Sequence, residues 1–305
     1  MARVKELLIG KILAMKWSDY EIKNTTFDKK NYPKILREIK NYPKKLFYRG
    51  NLDQKLFEKS LAVVGTRRIT RYGKMVIEKF IPFLVKEKIT IISGFMYGVD
   101  TEAHQKCLEY GGKTVAVLGG GLNIIYPPEN ERLYEKILEN GGLIISEYEP
   151  DFKPQLWTFP QRNRIVAGLS SLGVLVIEAG EKSGALITAN LARQQGKKVF
   201  AVPGPITSSV SAGTNFLIKT HQAKMVTTPE EILGKKIENP SLFSLQELSP
   251  LEQKIYQALE TEPLTADEIA KTVGQNIVEV GKTLSLLSLK GLISEFAGKY
   301  YLKSF

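Results

Sequence analysis

A chain of 305 residues with 43% hydrophobic residues is long enough for two or three domains with real cores, and 43 Lys/Arg against 32 Asp/Glu leave it at +11. One cysteine, Cys107, excludes disulfides within the chain and cysteine-based metal sites, and two histidines, His104 and His221, leave little for any other metal cluster. Leu7-Leu8-Ile9 is too short for a secretion signal and no apolar run reaches membrane-spanning length, so a soluble, cytoplasmic protein with no membrane partner is expected.

In chain order, residues 1–55 read as a basic N-terminal segment of short helices. Asn-Tyr-Pro at 31–33 and at 41–43 interrupts it, because each proline biases the preceding tyrosine away from helix. Residues 1–60 carry 15 Lys/Arg against 7 Asp/Glu, residues 61–235 carry 21 against 16, and residues 236–305 carry 7 against 9. A basic front and middle point to a polyanion, nucleic acid first. Lysine-rich solubility is the plainer account of the same charge.

Residues 56–235 repeat one rhythm. Apolar, β-branched runs occur at Leu61–Gly65, Thr90–Ile92, Thr114–Leu118, Leu143–Ile145, Val174–Ile177 and Val199–Val202, with helical patterns between them and Lys224–Val226 a further candidate. Short continuous apolar runs alternating with amphipathic helices predict a parallel sheet covered on both faces, a Rossmann-like doubly wound α/β domain. Pro82 inside the first helical pattern predicts a kink or break there. Residues 236–249 are polar and read as a linker. In residues 250–305, helical patterns at Pro250–Leu259, Thr265–Thr272 and Ile277–Leu289 precede a hairpin over residues 292–302, the signature of a winged helix. Thr265 and Glu268 have capping-box spacing. The third of these helices, with Lys290 just past its end, offers two lysines and one glutamate but no arginine, asparagine or glutamine. That is poor material for base readout, so a protein contact is favoured there over DNA.

Ligands of such sheets sit at the carboxyl ends of the strands. There the first strand runs into Gly65-Thr66-Arg67-Arg68 and then Arg71. The second runs into Ser93-Gly94, the third into Gly119-Gly120-Gly121, and the fifth, through Glu178, into Ser183-Gly184. Small residues let backbone approach a ligand, and a helix N-terminus following such a loop favours anions. Phe159-Pro160-Gln161-Arg162-Asn163-Arg164 opens the helix that leads into the fifth strand, a fork of guanidiniums around an amide. The two together predict a phosphate-bearing ligand. Phe159 and Tyr72 are candidate stacking rings, with a core role for Phe159 equally open. Gly111-Gly112-Lys113-Thr114 resembles a P-loop but precedes a strand, and Gly281-Lys282-Thr283 lacks the upstream glycine. No Gly-x-Gly-x-x-Gly follows the first strand, so no cofactor is expected. Asp100 and His104 share a helical spacing. A helix-start role for Asp100 and a packed His104 are preferred to acid–base chemistry, and no catalytic set is assigned.

These motifs taken together resemble the DNA-processing protein A family (DprA, also called Smf). Gly65-Thr66-Arg67, Tyr72-Gly73, Ser93-Gly94, Gly98-Val99-Asp100, Ala103-His104, Tyr126-Pro127, Ser146-Glu147, Phe159-Pro160, Arg162-Asn163-Arg164, Glu178-Ala179, Ser183-Gly184, Thr188-Ala189 and Val202-Pro203-Gly204 carry it in order, over roughly residues 30–305. The resemblance implies a recombination mediator without catalytic activity. Such a protein binds single-stranded DNA, dimerises through its Rossmann domain and loads RecA recombinase during natural transformation. It also implies that Arg67 and the Arg162/Arg164 pair line the single-strand groove, with Asn163 near a base. A dimer contact is expected around Asn215–Ile218 and Met225-Val226. Thr66 stands where the family usually has Ser, which keeps the hydroxyl, and Ile9-Gly10-Lys11 is the one candidate for a helix-hairpin-helix glycine signature. The alternative is a nucleotide-cleaving, phosphoribohydrolase-like Rossmann enzyme, whose Pro-Gly-Gly-x-Gly-Thr-x-x-Glu signature residues 178–188 do not reproduce.

Overall fold

Apolar β-branched runs with no polar interruption have to be covered on both sides, and here they become the strands of one sheet. The computed structural model describes residues 16–234, 248–289 and 292–302. The chain divides into two units, residues 1–235 and 236–305. In the first unit the strands are β1 (Lys23–Thr26), β2 (Lys45–Gly50), β3 (Ser60–Val64), β4 (Thr90–Ser93), β5 (Thr114–Val117), β6 (Leu143–Ser146), β7 (Gly173–Val176), β8 (Val199–Ala201) and β9 (Lys224–Met225). They lie in the order β1-β2-β6-β5-β4-β3-β7-β8-β9. From β6 to β9 every pairing is parallel, with Leu61 of β3 opposite Ile91 of β4 on one side and Gly173 of β7 on the other.

Alternate residues face opposite layers. Ala62, Val64, Ile92, Val115, Val117, Val174 and Val176 pack with Ile165, Val166 and Leu169. Leu61, Val63, Ile91, Leu175 and Ile177 pack with Val76, Ile77, Phe80, Ile81 and Leu84. The covering helices are α1 (Arg71–Lys86), α2 (Val99–Glu109), α3 (Glu131–Glu139), α4 (Thr158–Leu169), α5 (Gly184–Gln194) and α6 (Ala212–Lys219).

Two expectations need correction. Residues 16–55 are not a separate helical segment: β1 and β2 extend the sheet, β2 antiparallel to β6 with Phe47 opposite Ser146. Leu46, Phe47 and Tyr48 are all buried, and joining a sheet edge covers such a run while satisfying its backbone. Tyr32 is wholly buried and its hydroxyl donates to the Pro43 carbonyl, so the Asn-Tyr-Pro turns are anchored rather than loose. Residues 1–15, including Ile9-Gly10-Lys11, lie outside the described residues. The second concerns Pro82, where of the expected kink or break the break does not occur, since α1 continues to Lys86. A proline in a helix interior costs about 3 kcal/mol. Each of the five large apolar side chains that α1 buries returns roughly 1.5–3 kcal/mol, so packing wins.

The second unit carries α7 (Pro250–Thr261), α8 (Ala266–Val273), α9 (Ile277–Leu289) and the hairpin β10 (Ile293–Phe296) with β11 (Lys299–Leu302), the expected winged helix. Capping boxes at Ser249/Glu252 and Thr265/Glu268 start the first two helices. Ile255, Leu259, Ile269, Val280, Leu284 and Leu287 form its core. Most of the 236–249 linker lies outside the described residues.

Candidate nucleic-acid interface

A cavity of about 670 Å³ opens at the carboxyl ends of β3, β4 and β7. Of the residues singled out in the sequence, Gly65, Thr66, Arg67, Arg68, Gly94, Phe159, Arg162, Asn163, Ser183 and Gly184 line it. The β3 loop is fixed from two sides. The Thr66 amide donates to the Glu178 carbonyl at 2.7 Å, and the Val99 amide donates to the Thr66 carbonyl at 3.1 Å. Gly98 makes that second approach possible: its φ is +74° and a Cβ there would lie 2.3 Å from the Thr66 oxygen. Glu178, almost fully buried, accepts from the Thr70 amide and hydroxyl, which commits its carboxylate to the start of α1.

From this frame Arg67 and Arg68 project into solvent, and Lys182 does so from the β7 loop. None of the three forms an ion pair with a carboxylate among the described residues. The Arg67 guanidinium carbon lies 5.5 Å from the centroid of the Phe159 ring, so ring and cation together form one wall. Opposite, Ser183 caps α5 by accepting from the Ala185 amide at 3.3 Å, and the positive end of that helix opens on the cavity.

The arginine fork behaves differently. Arg162 is 2% exposed and reaches the cavity wall from behind. Its guanidinium donates to the carbonyls of Gly94 and Val117, joining the ends of β4 and β5. Burial pulls it down to about 10, still charged at neutral pH. Asp100 faces it across Gly94, where a Cβ would fall 2.7 Å from the Asp100 carboxylate and 2.8 Å from the guanidinium. Burial pushes the Asp100 carboxyl upward, against the pull of Arg162. Arg164 is outside the lining altogether: it holds Glu147 through two 2.6 Å contacts and donates to the Asn41 carbonyl at 2.7 Å. Of the two arginines expected to line a groove, Arg162 does line the cavity and Arg164 does not. One is a buried brace and the other ties α4 to the end of β6 and to the 41–43 turn. Asn163, half-buried between them, accepts from the Arg162 Nε at 3.2 Å and donates to the Gly184 carbonyl at 3.4 Å.

Other expected residues also fall away from the cavity. Ser93 is buried and donates to the Val63 carbonyl at 2.6 Å. Gly119, Gly120 and Gly121 are buried beneath Phe159, Pro154 and the 149–150 backbone. Arg71 opens α1 off the lining, and the Tyr72 hydroxyl donates to the Pro203 carbonyl at 2.6 Å. Of the expected dimer residues, Val226 is fully buried and the Asn215 side chain bonds both backbone groups of Gly204, whereas Phe216 and Met225 are half exposed. His104 is a packed histidine: its Nδ1 lies 2.6 Å from the Thr114 hydroxyl, and burial drives it down to about 3. Lys182, Leu156, Ser209 and Val210 line the cavity without having been singled out. Lys182 had a signal, since it adjoins Ser183-Gly184. Ser209 and Val210 come from the loop after β8 and had none. Among the described residues no cluster of three or more His, Cys, Asp or Glu could hold a metal ion, and no helix is long and apolar enough to cross a membrane. Exposed cations around an open cavity, with one aromatic wall and a helix N-terminus, fit phosphates and bases better than a reaction centre.

Residues 23–236 match the family model of DNA recombination-mediator protein A, and residues 239–299 match the DprA winged helix domain. Protein Smf of Escherichia coli (strain K12) is 40% identical over 251 residues, covering 79% of this chain and 67% of that one. Protein Smf of Synechocystis is 34% identical over 326 residues, covering 93% and 81%. Among solved structures, DNA processing protein A from Streptococcus pneumoniae aligns with a TM-score of 0.66 at 40% identity, covering 75% of this chain and 77% of that one. The Helicobacter pylori protein, described for its single-stranded DNA binding mode, aligns with a TM-score of 0.63 at 32% identity, covering 75% and 99%. A family match over most of the sheet-bearing unit, a second over the winged helix and relatives at this identity agree with the geometry, and the chain belongs to the DNA recombination-mediator protein A family.

Proposed function

We propose that this protein binds single-stranded DNA across the cavity at the ends of β3, β4 and β7, protects it, and loads RecA recombinase onto it during DNA uptake, acting as a homodimer in the cytoplasm without catalysing a reaction. The observation that carries this reading is the trio of exposed cations, Arg67, Arg68 and Lys182, on two loops that flank the Phe159 ring. Phosphates take the cations and bases take the ring, the division of labour that single-strand grooves use. The Helicobacter pylori relative, described for single-stranded DNA binding, supports the ligand class. For the dimer, Phe216 and Met225 supply exposed apolar surface at the far end of the unit's sequence, and pairing two cavities would lengthen the DNA track through effective concentration.

Fluorescence anisotropy of oligo-dT and a matched duplex, across a salt series, tests the reading. Three neutralised phosphates give a slope of log K against log salt of about −2, at about −0.7 per phosphate on single strands. Preference for oligo-dT, lost in Arg67→Ala/Lys182→Ala, is the expected result. Equal binding of both forms, unchanged in that variant, would remove the cavity from DNA binding. Release of free base from AMP would instead revive the phosphoribohydrolase-like reading.

A further inference from the structure

We propose that Tyr126 is a second base-stacking platform, onto which a single strand passes as it leaves the cavity over Phe159; this rests on the single-strand reading above. Ring contacts run outward in steps. Arg67 sits over Phe159, and the Phe159 ring lies 5.6 Å from that of Tyr126 with the planes tilted by 41°. Phe159 lines the cavity and Tyr126 lies just beyond the lining. Tyr126 keeps 41% of its surface in solvent, and Tyr97 keeps 38%. A large ring left this open, in contact with a cavity wall, is the kind of surface on which any base can stack, because every base has a π-face.

Charge sorts the two edges of a strand lying there. The cations, Arg67, Arg68 and Lys182, stand around the cavity. The Tyr97 hydroxyl donates to Glu129 at 2.7 Å, which fixes a carboxylate near this tyrosine rim. Phosphates are drawn to the cationic side and repelled from the carboxylate, so bases rather than backbone meet Tyr126. The strand therefore crosses Phe159 with its phosphates toward Arg67 and Arg68 and its next base toward Tyr126. The platform adds a contact that depends on length: an oligonucleotide that only fills the cavity does not reach it.

An oligo-dT length series tests this, by anisotropy with wild type, Tyr126→Leu, Tyr126→Phe and Arg67→Ala/Lys182→Ala and by intrinsic fluorescence with Tyr126→Trp. Tyr126→Leu should bind the shortest detectable oligo-dT as wild type does. It should lose about 5- to 140-fold on longer ones, the equivalent of about 1–3 kcal/mol for one stacked base. Tyr126→Phe should restore the affinity, and in Tyr126→Trp longer oligo-dT should quench fluorescence beyond the wild-type change. If Tyr126→Leu matches wild type at every length while Arg67→Ala/Lys182→Ala binds more weakly, the platform is overturned and the cavity reading stands. Equal loss at every length with a lowered urea midpoint also overturns it, because Tyr126 then merely packs against Phe159. If Arg67→Ala/Lys182→Ala binds as wild type, the cavity reading itself fails and the platform with it.

Discussion

The β3 loop and α4, which meet at the cavity, carry the same residue type and use it in opposite ways. On the β3 loop, Arg67 and Arg68 hang from backbone pinned by Glu178 and Val99, and their side chains stand in solvent. On α4, Arg162 and Arg164 turn inward, one to two strand-end carbonyls and the other to Glu147 and the 41–43 turn. The difference comes from the backbone that carries them. A loop past the end of a buried strand projects its side chains from the sheet, whereas a helix lying on the sheet turns part of its surface into the core. Arg162 braces the cavity wall, Arg164 anchors α4 outside the lining, and the outward pair, with Lys182, gives the cavity its charge.

The largest effect separating the two elements should be on stability. Arg162→Ala leaves two carbonyls unpaired and Asp100 buried without its facing cation, a loss of about 3–5 kcal/mol by analogy with a broken buried pair. Urea unfolding should register it, and a loss under 1 kcal/mol would mean that Arg162 is not the brace described. Arg164→Ala removes a bidentate contact between side chains only 13% and 12% exposed, and about 1.5–3 kcal/mol is expected, with the salt slope of DNA binding unchanged. A flattened slope in that variant would place Arg164 on the DNA after all.

His104 extends the contrast to pH. Its folded value of about 3 lies below the ordinary 6.5, so on acidification the unfolded chain takes up a proton that the folded chain refuses. Stability is therefore full above about pH 6.5 and falls by about 1.4 kcal/mol per pH unit as the pH drops toward 3. Unfolding between pH 7 and 5, before most carboxylates titrate, isolates this histidine. His104→Gln should flatten the dependence, and an unchanged curve would refute it. The smallest stability effect belongs to the outward cations. Arg67→Ala/Lys182→Ala should stay within roughly 0.5 kcal/mol of wild type, while its salt slope falls to about −0.7 as one phosphate contact remains. A large loss of stability there would erase the distinction between the two elements.

Much of this is legible in the sequence alone. The runs at Leu61–Gly65, Thr114–Leu118 and Val174–Ile177 are too short and too continuously apolar for anything but buried parallel strands, and they are. Thr265 with Glu268 marked a helix start correctly, and Gly65-Thr66-Arg67-Arg68 marked a cavity wall. Misreadings arose where a local signal was outvoted at a distance. Leu46-Phe47-Tyr48 sat in a proline-punctuated basic stretch and looked like helix, yet the open edge of β6, about a hundred residues further on, takes it as a strand. Pro82 signals a kink or a break, yet the helix continues past it to Lys86 over the sheet beneath α1. Gly119-Gly120-Gly121 looked like another ligand loop, yet Phe159 and Pro154 cover it.

The sequence by itself determined the alternation of strands and helices, the winged helix and two of the loops that line the cavity. Hydrophobic period, caps and glycines act within a few residues, so no distant contact is needed to read them. Only the tertiary structure decided which cations remain outside. Whether a guanidinium meets solvent or a strand-end carbonyl depends on elements scores of residues away. Arg162 meets Gly94 and Val117 while Arg67 meets a ring and open space, and the same side chain becomes a brace in one place and an exposed cation in the other.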